Sequence, residues 1–172
     1  VAFGNPEAVL ERGAQTCADV YGIALSHSYD LIIASCGGYP KDITLYQAQK
    51  GLNLASKALK PRGKILLLAA CEQGVGDSRY FEFTSSFSCI EEAIRNFENS
   101  GFRMGAHKCY LFGVTLTQHD VVIHSELDSE TLACCHLMSG NAQETLDTWI
   151  DTFSSEDFRV GIVPNANTTY FI

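Results

Sequence analysis

Two short runs, Leu31 to Ser35 and Lys64 to Ala70, are apolar at consecutive rather than alternate positions. A strand of that kind has to be buried on both faces, an environment that a parallel sheet covered by helices on each side provides. The segment between them, Ile43 to Leu59, carries the helical period instead. At about 100° per residue, Leu45, Ala48, Leu52, Ala55 and Leu59 fall on one stripe that packs onto the sheet. Lys60-Pro61-Arg62-Gly63 is expected to end this helix.

The same alternation continues along the chain. Helices are expected over Pro6 to Leu25 with Asn5 as N-cap, around Cys89 to Asn99, from His107 to Leu116, and over Ser129 to Leu137 and Ala142 to Thr152. Further strands are expected at Val121 to Ser125 and Arg159 to Val163, with a short last one at Thr169 to Ile172. Strand and helix alternating at this spacing imply right-handed crossovers. The expected fold class is α/β: a three-layer, Rossmann-like, mostly parallel sheet with helices on both faces, forming a single domain over 1–172.

A chain of 172 residues can bury one sizeable core and hardly two. Its net charge of −8 argues against nucleic acid or an anionic membrane as partner, since both reward a basic surface. No apolar run approaches the roughly 18 residues that cross a bilayer. The start, Val1 to Pro6, carries no initiator Met, no basic segment and no signal-peptide core, so a segment of a longer chain is expected. Seven cysteines at 17, 36, 71, 89, 109, 134 and 135 include no CxxC spacing. They read as reduced, buried thiols in a cytoplasmic protein rather than as disulfides, with a metal site at Cys134-Cys135-His136 as the minority alternative.

Between the first two strands the chain reads Gly37-Gly38-Tyr39-Pro40-Lys41-Asp42, then opens the helix that carries Tyr46, Gln47 and Lys50. The glycines let backbone approach a ligand, Asp42 is a candidate helix cap, and free amides at the helix start would favour an anion. Tyr46 and Lys50 are four residues apart and Gln47 and Lys50 three, so the three side chains can converge. Asn53 and Lys57 lie on the same side, but Lys57 is too far along the helix to join them. A solvated outer face is the alternative reading of this pattern. The loop Cys71-Glu-Gln-Gly-Val-Gly76 follows the second strand, and His107-Lys108 opens a later helix. Gly37, Gly38, Tyr39, Gly74, Gly76, His107 and Lys108 are therefore candidate crevice-lining residues. Neither a GxGxxG nor a Walker loop is present, and Ser35-Cys36-Gly37 lacks the surroundings of a hydrolase nucleophile.

Asp30-Leu-Ile-Ile-Ala-Ser-Cys-Gly-Gly-Tyr-Pro-Lys-Asp-Ile-Thr-Leu-Tyr-Gln-Ala-Gln-Lys50, followed by Lys64-Ile-Leu-Leu-Leu-Ala-Ala-Cys-Glu-Gln-Gly-Val-Gly76 and Gly105-Ala-His-Lys-Cys-Tyr110, resembles the carboxy-terminal domain of the nickel-dependent lactate racemase family. The resemblance implies a two-domain enzyme with the crevice between its domains. It places the nickel-pincer nucleotide, its lysine, the nickel-completing histidine and the two acid/base histidines on an amino-terminal catalytic domain, which this chain lacks. No catalytic residue and no metal ligand is thus expected here, and no cofactor bound to this domain by itself. By the same resemblance Lys50 holds the substrate carboxylate, while Tyr46 and Gln47 contact substrate or cofactor. The implied reaction inverts a small 2-hydroxy acid through a flat 2-keto acid, the cofactor carrying the difficult chemistry. The alternative is a non-catalytic, Rossmann-like module for a nucleotide or sugar acid.

Overall fold

The computed structural model describes residues 3–153 and 157–172. A five-stranded, wholly parallel sheet runs through it in the order β5-β4-β3-β2-β6. Its strands are β2 (Tyr29–Ser35), β3 (Leu59–Leu68), β4 (Asp120–His124), β5 (Met138–Ser139) and β6 (Val160–Val163). A two-stranded parallel pair, β1 (Gly22–Ile23) with β7 (Tyr170–Phe171), lies apart from it. The helices are α1 (Pro6–Tyr21), α2 (Leu45–Ser56), α3 (Ser78–Ser85), α4 (Ile90–Ser100), α5 (Ala106–Leu116), α6 (Ser129–Cys134) and α7 (Ala142–Thr152).

The chain steps from β2 through β3 and β4 to β5, then returns past β2 to β6. With one crossover hand, the outward steps set their helices on one face and the return sets α7 on the other. The core follows that layout. Ile32, Ala34, Ile65, Leu67, Val121 and Ile123 meet Leu45, Ala48, Leu52 and Ala55 of α2, Cys109 and Phe112 of α5, and Leu132 of α6. Each such Leu, Ile or Phe, fully buried, contributes roughly 1.5–3 kcal/mol. On the opposite face Lys64 Nζ lies 5.3 Å from the ring centroid of Trp149 in α7. The α/β fold with a mostly parallel sheet is therefore as the sequence implies.

Several boundaries differ from expectation. The first helix stops at Tyr21, where Gly22 turns to extended backbone and enters β1. The second ends at Ser56, and Lys60-Pro61-Arg62-Gly63 belongs to β3 instead of terminating a helix. Strand pairing absorbs the irregularity there through a register shift between Tyr29 and Leu31. Pro61 and Arg62 are exposed and need no core partner. Three elements, α3, β5 and a 3-10 turn over Ala166–Thr168, occupy stretches with no expected structure. All seven cysteines are free, and burial pushes the thiols of Cys36, Cys71 and Cys135 up to about 12. Among the described residues no helix is long and apolar enough to cross a membrane.

Asp30 ties three strands together at the amino-terminal edge of the sheet. Its carboxylate accepts from Lys60 Nζ at 2.8 and 2.9 Å and from the Arg159 amide at 2.8 Å. Burial opposes its ionisation, but the bonds from Lys60 and Arg159 outweigh burial and hold the carboxyl below its usual range. A lowered carboxyl pKa stabilises the fold above the unfolded value and loses that contribution as pH falls through the folded one. Asp30→Asn should therefore lower denaturant stability by roughly 1 kcal/mol at neutral pH. In urea titrations the gap to the unaltered protein should close as pH falls below about 4.

Candidate functional site

The first turn of α2 is built by two loops at once. Thr44 is its N-cap and accepts from the Gln47 amide at 3.3 Å. Asp42 does not cap the helix. It is 8% exposed, its carboxylate accepts from the Ala70 amide at 3.3 Å, and its carbonyl accepts from the Cys71 amide at 2.8 Å. The loop after β3 then runs against the helix start. The Leu45 amide donates to the Gly74 carbonyl at 3.1 Å, Tyr46 to Val75 at 3.0 Å, and Gln73 to Ile43 at 2.8 Å. The amides expected to await an anion are thus already satisfied by backbone, which corrects that expectation. Gly76 sits at φ +90°, and a Cβ there would lie 2.4 Å from Thr44 Cβ.

From this seating Tyr46 and Lys50 project one turn apart. The face that the alternative reading takes as solvated is partly covered by α3 and α5. The Tyr46 ring meets Tyr80 and His107 edge-on, with centroids 6.3 Å apart in both cases. Lys108 Nζ lies 4.9 Å from the centre of the Tyr46 ring and donates to Gln49 Oε1 at 2.9 Å. Tyr80 itself is fully buried and stacks on Phe112 at 5.7 Å. Lys50 remains exposed, and Gln47 is half-buried. Burial first, and the charge of Lys50 second, push the Lys108 ammonium below the usual lysine range. The structure therefore brings together Tyr46, Lys50, His107 and Lys108, with the Gly74–Gly76 loop at the base of the helix.

The Gly37-Gly38 turn lies between β2 and α2. Gly37 adopts φ +94° against Asn165, whose Oδ1 would lie 2.8 Å from an added Cβ, and its amide donates to Ser35 Oγ at 3.1 Å. Gly38 faces open space, and Tyr39 is 78% exposed ahead of a cis bond to Pro40. A cavity of about 410 Å³ opens at the carboxyl ends of β2, β3 and β4, bounded by Ser35, Gly38, Asp42, Ala70, His124 and Glu126. Gly38 is the one sequence-nominated residue in its wall.

Gln49 and Tyr80 escaped the sequence reading. Gln49 is three residues from Tyr46 and 2% exposed, but glutamine on a helix carries no mark of burial. Tyr80 lies in α3, whose one legible start signal was Asp77. That carboxylate accepts from the Tyr80 amide at 3.0 Å and pairs with Arg79 at 2.7 Å. Among the described residues no group of three His, Cys, Asp or Glu side chains is placed to hold a metal ion.

Comparisons with known proteins add a family. Residues 25–169 match the model described as the lactate racemase C-terminal domain. Over 80 residues, 46% of this chain and 18% of the relative, the sequence is 37% identical to a lactate racemase of Thermoanaerobacterium thermosaccharolyticum. The structure of the lactate racemase apoprotein from that organism superposes with a TM-score of 0.84 at 17% identity, covering 98% of this chain and 41% of that one. A crystal structure of a Thermotoga maritima protein gives 0.61 at 12% identity, with 96% and 42% covered. These two structural likenesses establish the fold, and in each the chain spans less than half of the other molecule.

The seating of the loop on α2 is testable by glycine replacement. Gly76→Ala drives a methyl into Thr44 and should cost ~1–3 kcal/mol in denaturant stability. Gly38→Ala has open space and should lose only the positive-φ preference, about 1 kcal/mol. Equal losses at the two positions would show that the loop does not press on the helix start.

Proposed function

From the premise that the chain belongs to the lactate racemase C-terminal domain family, we propose that it supplies the carboxylate-binding wall of a 2-hydroxyacid racemase or epimerase. The observation that carries the reading is the Tyr46–Lys50 face. It displays an exposed ammonium one turn from a tyrosine that is wedged between α3 and α5. In this reading Lys50 pairs with the substrate carboxylate, and Tyr46 and Gln47 contact substrate or cofactor. The domain acts joined to an amino-terminal catalytic domain and is inactive by itself. The fixed charge gives the substrate a pivot about which its reacting carbon can present either side, which is a positioning role.

In this reading the metal chemistry belongs to the amino-terminal domain and is not assigned to this chain. The nickel-pincer nucleotide would supply the redox step of inversion when bound in the complete enzyme. What this chain contributes is binding, orientation and a positive potential in a protein of net charge −8. A cytoplasmic site of action accords with seven free thiols.

A stand-alone nucleotide or sugar-acid module fits less well. Its natural seat, the cavity at the sheet edge, is walled by Asp42 and Glu126, which repel phosphates and carboxylates. The α2 amides that would bind a phosphate are already taken.

The test is Lys50→Ala in the complete polypeptide loaded with its cofactor, with loss of optical purity of single-enantiomer 2-hydroxy acids as the readout. Turnover per KM should fall by about 100-fold or more while circular dichroism stays unchanged. Unchanged turnover would remove Lys50 from the site.

A further inference from the structure

Lys108 is an anomaly that the proposed function does not use. It is 7% exposed, yet its ammonium donates to a neutral amide, Gln49 Oε1, rather than to a carboxylate. The ion pairs among the described residues are Asp30–Lys60, Asp120–Lys64 and Asp77–Arg79, and none includes Lys108 or Lys50. Its position in the first turn of α5 sets a cation at the positive end of a helix, which is again unfavourable. Burial first, and the charge of Lys50 second, lower its pKa. A buried cation normally has an anionic partner that offsets its desolvation. Here the described structure gives it a neutral amide and a ring face instead.

The Lys108 ammonium lies over the Tyr46 ring. Tyr46, Gln49 and Lys50 lie at i, i+3 and i+4 on one side of α2, and the Lys108 side chain reaches Tyr46 and Gln49 from α5. The ammonium binds the ring face and the Gln49 amide together, which fixes the rotamer of Tyr46 and the spacing of α2 from α5. The same charge raises the positive potential around Lys50.

We propose that Lys108 is a positioning residue for a small carboxylate, acting through Tyr46, whose ring it holds, and that its uncompensated charge adds to that of Lys50 in drawing the carboxylate of a 2-hydroxy acid. This rests on the carboxylate-binding role given to Lys50 above and extends it to a residue on another helix. In the free protein the Lys108 ammonium has a neutral amide and a ring face, and no carboxylate among the described residues. A bound carboxylate supplies that missing charge, so the ligand and the protonated lysine stabilise one another. A neutral analogue of the same shape gains nothing from the arrangement.

The test uses the complete polypeptide with 13C-labelled lysine, titrated with sodium lactate and, separately, with lactamide. Lactate should shift the Cε resonances of Lys50 and Lys108 and move the Lys108 titration upward, and lactamide should do neither. Lys108→Met should weaken lactate binding by roughly fivefold or more, Lys108→Arg should restore most of it, and the difference should shrink near ~1 M salt. A latch that serves packing alone would show neither the salt dependence nor the lactate-linked titration.

Lactate binding unchanged by Lys108→Met but lost in Lys50→Ala would overturn this inference and leave the proposed function standing. Binding insensitive to Lys50→Ala would overturn both. No lysine response to lactate in the unaltered chain would overturn the inference, with racemisation by the complete enzyme still deciding the function. Should Lys108→Met fail to fold, the titration in the unaltered chain and the Lys108→Arg variant decide it.

Discussion

The start of α2 is where most of this structure is decided. Three backbone bonds from the loop after β3 close on residues 43–46, and Gly76 lies so near Thr44 that no side chain fits between them. A helix start ordinarily leaves amides for water or a ligand. Here tertiary backbone takes them, and the consequence is geometric rather than electrostatic. The helix is clamped at its first turn, so the directions of Tyr46 and Lys50 are set by the sheet through the loop.

A second clamp works from the side. α3 and α5 carry Tyr80, His107 and Lys108 against the Tyr46 ring, and Gln49 receives the buried ammonium. Such an arrangement costs stability, because a lysine is desolvated beside a like charge. Structural needs would be met by an apolar residue at that point. Departures from local consistency of this kind gather at functional sites, where the fold accepts the cost in exchange for a poised charge. Asp42 and Thr84, also buried, have backbone or thiol partners.

Much of the architecture was legible in the sequence. Consecutive apolar residues at Leu31 to Ser35 and Lys64 to Ala70 marked doubly buried strands, and the Leu45-Ala48-Leu52-Ala55 stripe marked the helix that covers them. Endings were less legible. Pro61 and Gly63 look like terminators, but β3 begins at Leu59 and tolerates them through a register shift. α3 was hidden because Tyr80, Phe81 and Phe83 with interspersed Ser and Thr give little helical signal apart from the Asp77 cap. At the site, the residue types were readable and their company was not. Nothing local in the sequence shows that Gly74 and Val75 carbonyls fill the α2 amides, or that Gly38 borders a cavity at the carboxyl ends of β2, β3 and β4. Those facts arise from contacts between residues far apart in the chain.

The central claim is that the Tyr46–Lys50 face, and not the cavity at the sheet edge, receives the acid group of the substrate. The most direct measurement is a crystal structure of the complete polypeptide with a 2-hydroxy acid bound. The account predicts a carboxylate oxygen within about 3 Å of Lys50 Nζ, with the Tyr46 ring alongside. A carboxylate found instead among Ser35, Gly38 and His124, out of reach of Lys50, would contradict it.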